Sequence, residues 1–229
     1  MNRVMAVMAI HSKDKVGLFL LPWGILALAF VVNTIISALL GGNVGIYTGG
    51  VASIYIYMLI VGSLIIKETF PFAVGFSVRR IDYFLGTMAV AVAISAAYAF
   101  LLSLLSLTES NLTNNWGVGL HFFHLPYWSN GSLIGQFWTY FVVMLFVFVL
   151  GFVSASLHRR FGFVALYAFF GVVGVVTSAI VLVATYRQWW GAIFTWLGQW
   201  SAVQFAWWLV PVTLIGALGS YALLRRASA

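Results

Sequence analysis

The sequence predicts an all-α, polytopic membrane protein with six transmembrane helices. Three observations predict it. Of 229 residues, 63% are hydrophobic and 7% charged, against about 25% charged in an ordinary soluble domain. So few charges cannot coat a water-facing surface, so the surface must face lipid. Uncharged stretches long enough to cross a hydrocarbon core of about 30 Å recur along the chain. Lys and Arg gather between alternate stretches, the bias that orients helices in a membrane.

The elements follow in order. In residues 1–15, Val4, Met5 and Met8 share a helical face, flanked by Arg3, Lys13 and Lys15. That pattern suits an amphipathic interfacial helix on the inner leaflet. The first span runs from Val16 to Leu40; it is too long for a signal-peptide core and reads as a retained span. Gly41-Gly42-Asn43 makes a very short outer loop. The second span, Val44 to Ile66, ends at Lys67-Glu68. Residues 67–82 form an inner loop long enough for a helix, with Pro71 breaking the outgoing span. The third span is Tyr83 to Leu107. Residues 108–131 make a long outer loop rich in aromatics and histidine: Trp116, His121, Phe122, Phe123, His124, Tyr127 and Trp128.

The fourth span, Ser132 to Leu157, turns at His158-Arg159-Arg160 into the fifth, Phe161 to Tyr186. The last uncharged run, Gln188 to Leu224, would reach about 55 Å as one helix, too long for one crossing. Its first part, 188–202, carries Trp189, Trp190, Trp196 and Trp200 with Gly191 and Gly198. Tryptophan favours the headgroup layer, so this part reads as one or two short re-entrant or interfacial helices on the outer side. The sixth span is then about Val203 to Leu224, kinked at Pro211.

Of the 11 basic residues only Arg187 falls on the outer side. Both termini are therefore expected in the cytoplasm, and the chain in the cytoplasmic membrane. The net charge of +7 is accounted for by contact with anionic headgroups, which leaves no basic surface for nucleic acid. The length leaves room for a single membrane domain, 1–229.

Several chemistries are excluded. There is no cysteine, hence no disulfide or thiolate site. No phosphate-binding Gly-x-x-x-x-Gly-Lys-Ser/Thr loop occurs. The four carboxylates, Asp14, Glu68, Asp82 and Glu109, sit in loops or at membrane edges. None lies mid-span, where ion-coupled transporters keep one. No catalytic residue is expected. His121, His124 and Glu109 are too few for a metal site and read as an interfacial aromatic loop. Two sequons, at Asn111 and Asn130, lie on the outer side and are common by chance. Asn33 and Thr34 are the most polar mid-membrane pair; they would line a substrate path or make an interhelical hydrogen bond. Small residues at Gly86, Ala89, Ala93 and Ala97, and at Ala168, Gly171, Gly174 and Ser178, would form close-packing faces, within the chain or at a dimer seam.

The run Gly75-Phe-Ser-Val-Arg79-Arg80-Ile-Asp82-Tyr-Phe-Leu-Gly86 resembles the first inner loop of permease subunits of type-2 ABC exporters. An amphipathic N-terminal segment, six spans with both ends inside and an aromatic segment before the last span extend the likeness over nearly the whole chain. The long aromatic outer loop departs from it. The resemblance implies a coupling helix in 67–82, with Glu68, Arg79, Arg80 and Asp82 making or orienting contact with a separate ABC ATPase subunit. It also implies a second permease chain, identical or paralogous. ATP and Mg would bind the ATPase, with no cofactor in this chain.

The function expected is export of a hydrophobic or amphipathic substrate by a permease subunit that is not itself an enzyme. The alternatives are an ion-coupled secondary transporter, a membrane protein conferring immunity to a toxin, and a lipid-modifying enzyme using His121 or His124.

Overall fold

The computed structural model describes residues 3–41, 45–125 and 132–226. Within them the chain is mostly helical. Helix α1 is Arg3–Ser12, and a π-helical turn, Val16–Leu20, leads into α2, Leu21–Leu39. Helix α3 is Ala52–Gly75, and α4 is Arg80–Leu107, prolonged by a π-helical turn at Thr108–Leu112. Then come α5, Leu133–Tyr186, the short α6, Trp190–Gly198, and α7, Ala202–Arg225. Two dipeptides, β1 at Ile46–Tyr47 and β2 at Leu120–His121, pair in parallel.

Five helical stretches are long and apolar enough to cross a membrane: Val16–Leu39, Ala52–Gly75, Arg80–Leu112, Leu133–Tyr186 and Ala202–Arg225. The chain is thus an all-α, polytopic helical protein. The expected fourth and fifth spans form one 54-residue element, α5. A straight helix of that length would hold its ends about 80 Å apart. Instead Trp138, near its start, lies 4.7 Å from Trp207 of α7. Thr139 and Val143 also share a groove with Phe194 and Leu197 of α6, only a few residues beyond its end. The chain therefore doubles back within α5. The hinge is Gly162, at φ 79° and ψ −174°, a backbone region essentially closed to residues with a Cβ.

The first arm of α5 is the centre of the packing. Its neighbours are α3, α4 and α7. Two glycines let α3 and α5 meet at backbone distance: a Cβ on Gly62 would collide with the Phe148 carbonyl, and one on Gly151 with the Leu59 carbonyl. Phe148, Phe152, Met144 and Tyr140 fill the surrounding core. The second arm differs. Residues 167–183 are all exposed, and Gly171 and Gly174 face open space. The small-residue stripe expected there packs on nothing among the described residues of the chain. On α4 the buried face is Ala91, Ser95, Tyr98, Ala99 and Leu102 rather than Ala93 and Ala97, which are exposed.

The described basic residues converge. Arg80 Nη1 donates to the Arg225 carbonyl at 2.6 Å, and Phe84 packs on Tyr221, ring centroids 5.2 Å apart. The Arg159 guanidinium stands 5.8 Å over the Phe70 ring. The end of α3, the start of α4, the α5 hinge and the end of α7 therefore lie together at one basic end. Arg187, Trp189 and Trp190 lie at the other. A nine-residue helix, α6, precedes the last long helix. Ser201 then opens α7 with a reciprocal capping box to Gln204.

Two local expectations need correction. Pro71 does not break its helix: α3 continues to Gly75. The carbonyl it leaves unpaired, that of exposed Lys67, lies near the helix end where water can satisfy it. No separate helix forms in 67–82; residues 67–75 finish α3, and a turn with Ser77 at φ 58° leads directly into α4. Helix α1 buries one side, with Val7 1% and His11 6% exposed, and leaves Met5, on the face expected toward the leaflet, 61% exposed. The buried side is tied down because Gly86 of α4 lets Val7 and the Val4 carbonyl come close.

The α3–α5 contact makes a prediction. Gly151→Leu would force two backbones apart and lower stability by about 2 kcal/mol or more. Gly174→Leu, which meets nothing, would shift it by less than about 0.5 kcal/mol. Thermal unfolding of the purified chain measures both.

Candidate functional site

The site begins at the junction of α1 and α2. Asp14 closes the turn between them: its Oδ1 accepts from the Gly17 amide at 2.8 Å, and its carbonyl from the Leu18 amide at 3.0 Å. Any side chain at position 17 would collide with that carboxylate. The Tyr57 hydroxyl of α3 donates to the Gly17 carbonyl, which fastens this turn to α3. A second tether joins α1 to α4, where His11 Nε2 and Thr87 Oγ1 are 3.0 Å apart. Tyr83 extends it, its ring centroid 6.1 Å from that of His11 and its hydroxyl 2.8 Å from Thr69 Oγ1 of α3.

These tethers enclose a cavity of about 240 Å³ between α1, α2, α3, α4 and Phe148 of α5. Its walls are mostly apolar, among them Leu18, Val61, Ile65, Val90 and Ile94. Its polar groups are few: Asp14, Glu68, His11, Thr69, Tyr57 and Tyr98. Asp14 and Glu68 are exposed and mark an acidic mouth toward the basic end. An apolar chamber with a few convergent polar groups is the usual form of a small-molecule site.

Burial lowers the pKa of His11 from its ordinary 6.5 to about 4, because the charged imidazolium would lose its hydration. It is therefore neutral near pH 7 and adds no positive charge to the mouth.

The residues read from the sequence separate in the structure. Glu68 lines the cavity. Arg79 is exposed at the N-cap of α4, with no capping bond from its side chain. Arg80 binds the last turn of α7, and Asp82 sits in the first turn of α4, where a negative charge favours the helix N-terminus. Asn33 and Thr34 bond the carbonyls four residues back, at Ala29 and Phe30, both at 2.8 Å. Both side chains are thus occupied locally; they do not line this cavity, and among the described residues neither makes a hydrogen bond to another helix.

At the opposite end Glu109, fully buried, organises the outer segment. Its carboxylate accepts from the Phe122, Phe123 and His124 amides at 2.8–3.0 Å and from Trp116 Nε1 at 2.9 Å. His124 Nδ1 lies 3.2 Å from Ser106 Oγ, and His121 stacks on Tyr47 at 4.4 Å. Among the described residues no group of three or more acidic, His or Cys side chains is placed to hold a metal. Tyr127, Trp128 and Asn130 lie outside the described residues. Comparison with protein-family models, with curated proteins and with solved structures finds no match.

Sequence reading missed Asp14, His11, Tyr57 and Tyr98 as one site. The only available signal was Asp14-x-x-Gly17 immediately before an apolar run, the pattern of a helix-capping turn.

Two predictions follow from these tethers. His11 binds a proton more weakly folded than unfolded, so its contribution is complete above pH 6.5 and is lost as pH falls toward 4, by on the order of 3 kcal/mol at most. The unfolding midpoint should drop between pH 7 and pH 5, and His11→Gln should flatten that dependence. Glu109→Ala would strand three amides and an indole N–H and cost about 3 kcal/mol or more, read as a lower midpoint and faster proteolysis within 113–124.

Proposed function

We propose that this chain is the membrane-spanning subunit of an ABC exporter in the cytoplasmic membrane. It moves a hydrophobic or amphipathic substrate, while a separate ATPase subunit hydrolyses ATP and a second permease chain completes the pathway. The observation that carries this reading is the α3–α4 turn. It stands at the basic end with Phe72 54% and Phe76 68% exposed, next to exposed Arg79. Aromatic and cationic groups together at a membrane edge suit a docked protein, since Phe and Arg are favoured at interface centres.

The reversal at Gly162 supports counting the two arms of α5 as separate crossings, which makes six. The convergence of Arg80 and Arg225 supports placing α1 and the C-terminus on the same, cytoplasmic side. In this reading the coupling element is the end of α3 with its turn, rather than a free-standing helix. Helix α6 with its tryptophans would rest in the outer interface. An exposed second arm of α5 agrees with a helix facing lipid or a second chain.

Arg79→Glu is the clean test, because Arg80 also holds α7. The wild-type chain, expressed with its neighbouring genes and purified, should bring down an ATPase subunit. Arg79→Glu should cut that recovery at least about tenfold, as for loss of a buried charged contact, without changing the yield of inserted chain. Recovery of no ATPase with wild type overturns the proposal.

One observation favours ion-coupled transport as a second reading: two carboxylates open on a membrane cavity, and such groups relay protons in transporters. Transport that survives ATP depletion but collapses with the proton gradient would select it.

A further inference from the structure

We infer that the cavity beneath α1 binds a cationic amphiphile, a molecule with an amine or quaternary ammonium head on an apolar tail, taken up sideways from the basic-end leaflet. As a binding site it stands on its own; as the substrate site of an exporter it rests on the proposal above.

Charge is the first argument. The basic end carries Lys13, Lys15, Lys67, Arg79, Arg80, Arg159, Arg160 and Arg225, so an anion would be held by many surfaces there. A cation is drawn to acids, and only the cavity brings two of them together at this end. Asp14 and Glu68 are half of the chain's four acids, and both line this cavity. No lysine or arginine lines it, and neutral His11 does not offset the carboxylates. Glu68 makes no hydrogen bond among the described residues, so its carboxylate is uncommitted.

The second argument is independent of the acids. Tyr98 lines the cavity and is 1% exposed, yet its hydroxyl has no hydrogen-bond partner among the described residues. The hydroxyl is not sealed off from the cavity, so a ligand there can supply the bond that the protein does not. Its ring is fixed edge-on against Trp23, centroids 5.5 Å apart, and against Phe19 at 6.0 Å, so the hydroxyl is held in place. Aromatic rings also attract ammonium groups over their faces.

Shape is the third. Leu21, Ile60 and Leu64 line the cavity and are also exposed, so the chamber has an apolar side facing where lipid tails would lie. A tail can therefore remain in hydrocarbon while the head reaches Asp14 and Glu68. An anionic or uncharged amphiphile would fit the walls and leave the mouth unmatched.

The test uses the full chain in nanodiscs of phosphatidylcholine with radiolabelled dodecyltrimethylammonium, with empty discs measuring partition into lipid. The expected result is a saturable component of one probe per chain, displaced by unlabelled probe and not by dodecyl sulfate. Asp14→Asn with Glu68→Gln should weaken it about tenfold or more, the loss expected for a charge-assisted contact. Asn keeps the acceptor that caps Gly17. Tyr98→Phe should weaken it a few-fold. Binding no greater than in empty discs, equal displacement by dodecyl sulfate, or unchanged affinity in the double variant overturns the inference. The displacement arm uses the unaltered chain and decides the matter even where a variant fails to fold. No ATPase is present, so loss of this binding leaves the docking proposal intact, and failure to recover an ATPase leaves this site intact.

Discussion

Everything in this fold hangs on the approach of α3 to the first arm of α5. In hydrocarbon, apolar side chains gain little by leaving lipid for protein, so helices associate by close packing. Gly62 and Gly151 supply it: each lies against a carbonyl of the facing helix, and the two contacts are reciprocal, α3 glycine on α5 backbone and α5 glycine on α3 backbone. With that seam closed, α4 and α7 have a fixed surface to pack on. The aromatic and Met core of Met144, Phe148 and Phe152 then needs no polar glue.

Helix α2 packs far less on the rest; its most apolar stretch is 11% buried, against 44% in α5. It stays in place through its ends: the Asp14 turn with Tyr57 near the basic end, and Ser37 donating to the Val118 carbonyl at 2.6 Å at the other. The cavity lies at the first of these ends, where Gly17, Leu18 and Leu21 line it together with α3 and α4. The tether at that end, Asp14 with Tyr57, also lines the cavity, so the same residues that fasten the turn face the chamber.

The sequence made much of this legible and hid the rest for physical reasons. Apolar length and the basic bias are local properties, and they located the long helices, the reversal near Arg159-Arg160 and the short tryptophan-bearing helix before α7. Seams are relational. Gly171 and Gly174 look like a packing stripe as plainly as Gly62 and Gly151 do, but only the latter pair faces another backbone. The side of α1 that packs on α4 gave no signal, because Met5 and Val7 are equally apolar; what selects Val7 is the absence of a side chain at Gly86, on another helix. Pro71 misled because a proline can bend a helix without ending it, and α3 continues past it to Gly75. His11 gave no signal, since nothing in its neighbourhood along the chain announces Thr87.

The acids carry the sharpest functional distinction, because a chain with four of them cannot place them idly. Glu109 is consumed by four donors and exists to fold the outer segment. Asp82 sits where a helix N-terminus favours negative charge. Asp14 is half committed, one oxygen on the Gly17 amide. Among the described residues Glu68 makes no hydrogen bond, yet it lies where α3 leaves the apolar stretch, beside a chamber otherwise lined by hydrocarbon, hydroxyls, Asp14 and a neutral imidazole. A carboxylate retained there without a folding role is best explained by what it meets in solution or in the leaflet. If the proposed ATPase docks at the α3–α4 turn, that turn and the cavity mouth are joined by one short helix end. Movement of the turn would then act on the walls of the chamber through the last turns of α3, which carry Glu68 and Phe72.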